Sequence, residues 1–434
     1  MILRSEKVDI TIKSLTKATW FSTTMLLCCL GYALFKAAYR EIGDIFQTIL
    51  FIGTLFALYA ERRKIIQNKV FILLIISVLI PILSWINALN HAPELASEAP
   101  QIGAMVNFYF FFFIAYWLKG SVADCKWFLS AFIFGVLLTL LFHSPNFFEE
   151  VMLGFQGQRI DFHYINANHG AALLGGVVII GFIYAIEYFE KIRLDRKALK
   201  PFIASLFVLM FSSTLLIFTQ SRQAWFAVFA AIFLMCIIIL LIRTSLSFKH
   251  LAVFTFAFSI VSIFVLFQVP IVYERLTSEL YIIPSVLSGE IDNIPNSSMG
   301  IRLHLWYESF SWLKEYPLLG LGDNARSLVI SMSTRLPEYI RIHFSHLHNG
   351  YLEVLVNYGI LGLLNFVFLF FLLIKSAFSK HAPRYLTAFS VGFITYFLII
   401  NCFESFLSFK SGMYLFSCMT AVIYTFHLQQ TLEN

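Results

Sequence analysis

The sequence predicts an all-α polytopic membrane protein of about twelve transmembrane helices with one long structured loop on its outer face. Three observations carry that prediction. The 434 residues are 59% hydrophobic and 13% charged, with a mean hydropathy of +0.79, more apolar surface than a water-soluble domain can bury. Mostly apolar stretches of about 17 to 24 residues, long enough to cross a hydrocarbon core as helices, recur along the chain. A single long polar stretch, from about 270 to 348, interrupts them.

The predicted spans begin near Ala18, Ile42, Val70, Ile102, Trp127, His169, Pro201, Arg222, Leu251, Tyr351, Tyr385 and Ser405. An even number places both termini on one side. Arg4, Lys7, Lys13 and Lys17 lie in the N-terminal tail, and Arg62, Arg63, Lys64 and Lys69, then Lys191, Arg193, Arg196, Lys197 and Lys200, lie in short loops of matching parity. The positive-inside rule therefore makes both termini cytoplasmic. The segment from Asn87 to Gln101 carries no Lys or Arg and two Glu, as an outer loop should. The first apolar run lacks a small-residue cleavage site and reads as a retained span. The net charge of +6 is largely cytoplasmic anchoring, with no case for nucleic-acid binding. The 49 Phe and 19 Tyr suit lipid-facing surfaces and interfacial belts. Cysteines 28, 29, 125, 236, 402 and 418 lack zinc-ligand or disulfide spacing.

Within the long loop, Leu303, Trp306, Tyr307, Phe310 and Leu313 recur at helical spacing among polar residues, so 301–316 reads as an amphipathic helix whose apolar face dips into the outer interface. Pro317 and Gly320-Leu321-Gly322 end it. Asp323 is placed to cap a second helix through about Met332, and 337–344 forms a further helical turn. The chain thus divides into 1–269 (nine spans), 270–350 (the loop) and 351–434 (three spans).

Four residues on the outer face have chemistry to offer: Arg159, Arg222, Arg302 and His348. Three guanidiniums provide forked donors for phosphate oxygens, and an imidazole near neutral pKa can take a proton from a hydroxyl. Together they describe a site for moving a group off a pyrophosphate. Each also has a plain reading: Arg222 as a snorkelling anchor, Arg302 as the solvated side of a helix, Arg159 as a lone basic residue in a polar loop, and His348 as an interfacial neighbour of Asn349, the N-cap of the tenth span.

Their order along the chain favours the first reading. Gly157-Gln158-Arg159 precedes Asn166-Ala167-Asn168; Thr219-Gln220-Ser221-Arg222-Gln223-Ala224-Trp225 follows; Arg302 precedes Tyr316-Pro317-Leu318-Leu319-Gly320-Leu321-Gly322; and His346-Leu347-His348-Asn349 leads to Tyr358-Gly359-Ile360-Leu361-Gly362-Leu363. Over about 150–375 this resembles the bacterial O-antigen ligase and polymerase superfamily. The Ser-Arg start of a span and the His-Asn before a Gly-hydrophobic-hydrophobic-Gly run are its strongest elements; Ala167 departs from the usual proline between two asparagines. Phe344-Ser345 running into the His motif is similar to lipopolysaccharide O-antigen ligases in particular.

The resemblance implies transfer of glycan from undecaprenyl pyrophosphate to lipid A-core on the periplasmic face of the bacterial inner membrane, without nucleotide sugar, metal or other cofactor. His348 is then the general base of an inverting displacement, Arg159, Arg222 and Arg302 hold the pyrophosphate, and His346 and Asn349 stand beside them as substrate-binding residues. The loop holds no Asp/Glu cluster with cation-binding spacing, in keeping with arginine as the counter-charge. If Asn349 caps the tenth span, the helix N-terminus behind His348 disfavours an imidazolium there. An O-antigen polymerase, or an O-linked protein oligosaccharyltransferase, is the alternative within the superfamily. A secondary transporter or flippase is the alternative outside it, disfavoured by the near absence of Asp and Glu from span centres. Arg222→Lys is expected to impair glycan transfer almost as much as Arg222→Ala, because lysine keeps the charge and loses the fork. Transfer assays on equal amounts of membrane-inserted protein check this; wild-type transfer by the lysine variant would make Arg222 a point charge or an anchor.

Overall fold

The computed structural model describes residues 14–16, 18–192, 194–243, 253, 270–379 and 382–433. Among them every regular element is helical and there is no strand. In chain order the main helices are α1 (Thr19–Phe35), α2 (Arg40–Ala60), α3 (Lys69–His91), α4 (Gly103–Leu118, with a 3-10 turn inside it), α5 (Val122–His143), α6 (Phe147–Phe155), α7 (Ala167–Ile192), α8 (Leu199–Phe218) and α9 (Arg222–Arg243). After these come α10 (Pro270–Thr277), α11 (Ser298–Glu315), α12 (Ala325–Ser331), α13 (Glu338–His343), α14 (Gly350–Ala377), α15 (Arg384–Ile400) and α16 (Lys410–Glu433).

Among the described residues seven helices are long and apolar enough to cross a membrane, and α1, α4 and α15 are shorter apolar helices, so the chain is a polytopic membrane protein. Their starts fall close to the expected ones. The span expected near Leu251, and the basic tail before residue 14, lie outside the described residues. The fifth span begins at Val122 instead of Trp127, because Ser121 caps it by accepting a hydrogen bond from Asp124 N (3.3 Å).

The centre of the bundle is α16, whose residues 414–426 are all buried. A helix buried on every side belongs in the interior, and several of its polar atoms are bonded there: Thr425 Oγ1 donates to Ala115 O (2.7 Å) and Tyr424 Oη to Asn68 Oδ1 (2.9 Å).

The loop side is fastened to this bundle at a break in α14. Gly359 sits at φ 63°, ψ −164°, a conformation essentially restricted to glycine, and interrupts the helix. Backbone groups freed there cannot stay unpaired in an apolar surrounding. The turn Tyr316–Gly322 supplies the partners: Leu321 N and Gly322 N donate to Val356 O (3.2 Å) and Asn357 O (2.8 Å), while Ile360 N and Leu361 N donate to Pro317 O (2.9 Å) and Leu318 O (3.3 Å). A Cβ at Gly359 would stand 2.2 Å from Leu318 O. The two motifs that the sequence sets about 40 residues apart are thus one structural joint.

The loop has a core of its own, in which Leu305, Leu321, Val329, Ile330, Ile340 and Leu347 are buried. This changes the amphipathic reading of 301–316. The helix forms, from Ser298 behind a Ser297 cap, but Leu305, Trp306 and Leu313 turn into the loop core while Tyr307 and Phe310 are exposed. Asp323 does not cap α12; it accepts from Tyr358 Oη (3.1 Å) and lies near Arg326 (3.9 Å).

Gly359→Ala is expected to destabilise the protein by more than the about 1 kcal/mol that separates alanine from glycine in ordinary helix, since it adds both backbone strain and a clash. Thermal unfolding of purified protein in detergent measures this. An unchanged midpoint would show that the joint is not a structural tie.

Candidate active site at the junction of loop and bundle

One cavity of about 690 Å³ gathers most of the chemically interesting side chains. It is lined by Arg159, Arg222, Arg302 and His348 and, in addition, by Arg275, Asn168 and Gln220. Four sequence-derived candidates, drawn from four separate stretches, therefore face one space. His346 and Asn349 are not part of its lining.

Local structure explains each position. Arg159 follows α6 and is held by Nε donating to Thr219 O (3.1 Å). Arg222 opens α9, where Nη2 meets Glu279 Oε1 at 2.7 Å, and Glu279 is itself fixed by Met299 N (2.8 Å) and Ser297 Oγ (3.2 Å). Arg302, in the first turns of α11, donates from Nε to Phe403 O (3.2 Å) and from Nη1 to Ser298 Oγ (2.9 Å). It is not on a solvated face, as the helical stripe alone allowed. Burial lowers the pKa of Arg159, Arg275 and Arg302, and for each of them neighbouring guanidiniums add to the lowering. Four arginines crowded around one cavity favour an anion there.

His348 stands at φ 51°, a left-handed conformation uncommon outside glycine, between the loop core and the start of α14. Asn349 is the N-cap expected of it: Oδ1 accepts from Tyr351 N and Leu352 N, both at 3.1 Å, and Nδ2 donates to Cys402 O (3.2 Å). Leu347 N donates to Glu353 Oε1 (2.9 Å) and Trp306 Nε1 to Leu347 O (3.0 Å), so the backbone on either side of His348 is pinned.

The residue that the sequence reading missed is Glu404. Its side chain is fully buried in the turn between α15 and α16, with Oε1 2.9 Å from His348 Nδ1 and 3.6 Å from His346 Nδ1. Asn168 Nδ2 donates to the other oxygen (2.9 Å), and Ser221 Oγ donates to Asn168 (3.0 Å). Burial opposes its charge, yet the hydrogen bond from His348, the two imidazoles and Arg302 outweigh burial and set its pKa at about 2. A carboxylate only accepts, so Nδ1 of His348 carries a proton, and in the neutral ring Nε2 is then the nitrogen with the lone pair. That is the arrangement of a general base with an orienting acid. Glu404 lies 56 residues beyond His348 in a turn with no motif of its own, and nothing in the local sequence marks it. Arg275 was missed for the same reason, as a lone basic residue in the polar loop.

His346, His348 and Glu404 also bring one ligand atom each within 4.8 Å of one another. Two imidazoles and a carboxylate are a donor set able to hold a transition-metal ion, a possibility invisible while only the two histidines were in view.

Residues 205–367 match the family model described as O-Antigen ligase; a search of curated proteins finds no match. The matched stretch contains Arg222, Arg275, Arg302, His346, His348 and Asn349, and leaves Arg159 and Glu404 outside it.

Burial first, and then the neighbouring His348, lowers the pKa of His346 to about 4. An unfolded histidine titrates near 6.5, so between these values the unfolded chain binds more protons and stability rises with pH. Unfolding midpoints in detergent should fall as pH is lowered from about 6.5 to about 4, and His346→Gln should flatten that fall. Equal slopes for the two proteins would show that His346 does not titrate in this way.

Proposed function

We propose that this chain, whose residues 205–367 match the O-antigen ligase family model, is a membrane glycosyltransferase that joins O-antigen carried on undecaprenyl pyrophosphate to a sugar hydroxyl of lipid A-core, on the periplasmic face of the inner membrane. The observation that carries this reading is the single cavity into which four arginines and the Glu404-bound His348 converge.

Each group then has one task. Arg159, Arg222, Arg275 and Arg302 hold the donor pyrophosphate and stabilise the charge that develops on it as the sugar leaves. His348 Nε2 takes the proton of the acceptor hydroxyl while that oxygen bonds to the anomeric carbon. The bond from that carbon to the phosphate oxygen breaks, and undecaprenyl pyrophosphate departs with the electron pair. Displacement from the opposite face inverts the anomeric centre. Glu404 keeps the proton of the resting imidazole on Nδ1 and stabilises the imidazolium that forms, as a buried acid does for histidine elsewhere. Asn349 and His346 act one layer back, through the cap of α14 and through Glu404.

His348→Ala is expected to lower transfer by about two to four orders of magnitude, with donor binding retained on the arginines. Glu404→Gln should lower the rate without loss of donor affinity. In vitro ligation in detergent, where no gradient exists, measures both and separates an enzyme from a transporter. In cells, loss of the gene should leave core-only lipopolysaccharide beside polymerised undecaprenyl-linked O-antigen. Short, unpolymerised chains on the carrier would instead make the protein a polymerase.

A further inference from the structure

A second cavity, of about 960 Å³, opens between α2 and α3, with α4 and α16 behind it. Most of its wall is apolar, including Phe51, Leu55, Leu74, Ile75 and Val78. Toward one end stand Lys36, Arg40 and Lys410, with Asp44 as the carboxylate among them. Lys36 and Arg40 both pair with Asp44, so three cations meet one anion.

That end lies on the same face as His348. Lys410 follows Phe409, whose ring is 5.1 Å from that of His346. The Tyr39 ring packs tilted against that of Phe142, their centroids 4.9 Å apart, at the end of α5 from which the chain runs on to Arg159. Basic residues in and beside short connections belong on the opposite, cytoplasmic side, and on the His348 face the short connections between described spans carry just five: Arg159 and Arg222, which line the arginine cavity, and Lys36, Arg40 and Lys410, which line this one. Cations kept on the disfavoured face call for an anionic partner there.

The two cavities share no lining residue. The arginine cavity has its own apolar flank, Phe226, Leu276, Leu280 and Ile283, suited to the isoprenoid tail beside the pyrophosphate. We propose that the groove between α2 and α3 is the binding site for the second lipid, the phosphorylated and multiply acylated glycolipid acceptor, with its acyl chains along Phe51, Leu55 and Ile75 and its phosphates on Lys36, Arg40 and Lys410. This rests on the ligase reading above. It gives each lipid its own lateral access to one reaction centre, so neither charged headgroup has to cross the path of the other.

The test uses the full-length protein in detergent, with lipid A-core and phosphatidylglycerol as separate probes in native mass spectrometry, and glycan transfer measured alongside. Two variants are compared with wild type: Arg40→Gln/Lys410→Gln, which removes surface charge, and Ile75→Trp, which fills the groove. Wild type should retain lipid A-core in preference to phosphatidylglycerol. Both variants should retain it about tenfold less well and show an acceptor KM about tenfold higher, with the donor KM unchanged. Equal retention by wild type and variants overturns the proposal, as does equal retention of phosphatidylglycerol, which marks a groove for bulk lipid. A raised donor KM with the acceptor KM unchanged also overturns it, since the groove then holds the carrier tail. Groove-dependent binding of lipid A-core without any transfer to it would remove the ligase function and leave the site standing. Transfer with an unaltered acceptor KM in both variants would do the reverse.

Discussion

Backbone polar groups in an apolar surrounding must find partners within the protein, and in this chain that demand is met unconventionally at one place. Helix α14 breaks at Gly359, and the turn Tyr316–Gly322 reaches in to bond both sides of the break. The loop is consequently not tethered only by its ends. Its core sits on α14 through Leu321 and Val356, and the N-terminal turn of α14 carries the cap formed by Asn349. A shift of the loop relative to the bundle would have to break the joint first, so Arg302 on α11 and His348 before α14 are held to one frame.

Glu404 performs the corresponding task for side chains. A buried carboxylate is tolerated only when paired and hydrogen-bonded, and here His348, Asn168 and the backbone N–H of Ser405 provide the bonds. These partners come from three distant parts of the sequence. The anion ties the start of α7 and the turn before α16 to the histidine. Ser221, next to Arg222, joins the same chain of bonds through Asn168. Neutral and charged halves of the site therefore share one hydrogen-bonded skeleton.

Much of this was legible in the sequence, and the reasons differ by element. Spans were readable because composition and length are nearly decisive for a helix in a bilayer, and Asn349 because a cap acts on residues two and three positions away. Arg222 and His348 were recognisable from short motifs. Glu404 and Arg275 were not, because their places beside His348 and at the cavity depend on which turns meet in space, and neither carries a local pattern. The apolar stripe of α11 was misjudged for a related reason: periodicity shows that a face is apolar but not whether membrane or protein covers it, and here the loop core takes Leu305, Trp306 and Leu313. Asp323 likewise had the right residue type for a cap and was claimed by Tyr358 instead.

The central position of α16 has a consequence for biogenesis. This helix follows all the other described helices in chain order, yet it is the one they surround, against α4, α5, α7, α14 and α15. During synthesis the earlier spans must wait in the bilayer around a missing hub, with partners such as Asn68 and the carbonyl of Ala115 not yet met. The turn that bears Glu404 emerges just ahead of that hub. Assembly of the site and closure of the bundle are therefore one late event, and a chain arrested before it presents unsatisfied polar groups that membrane quality control can recognise.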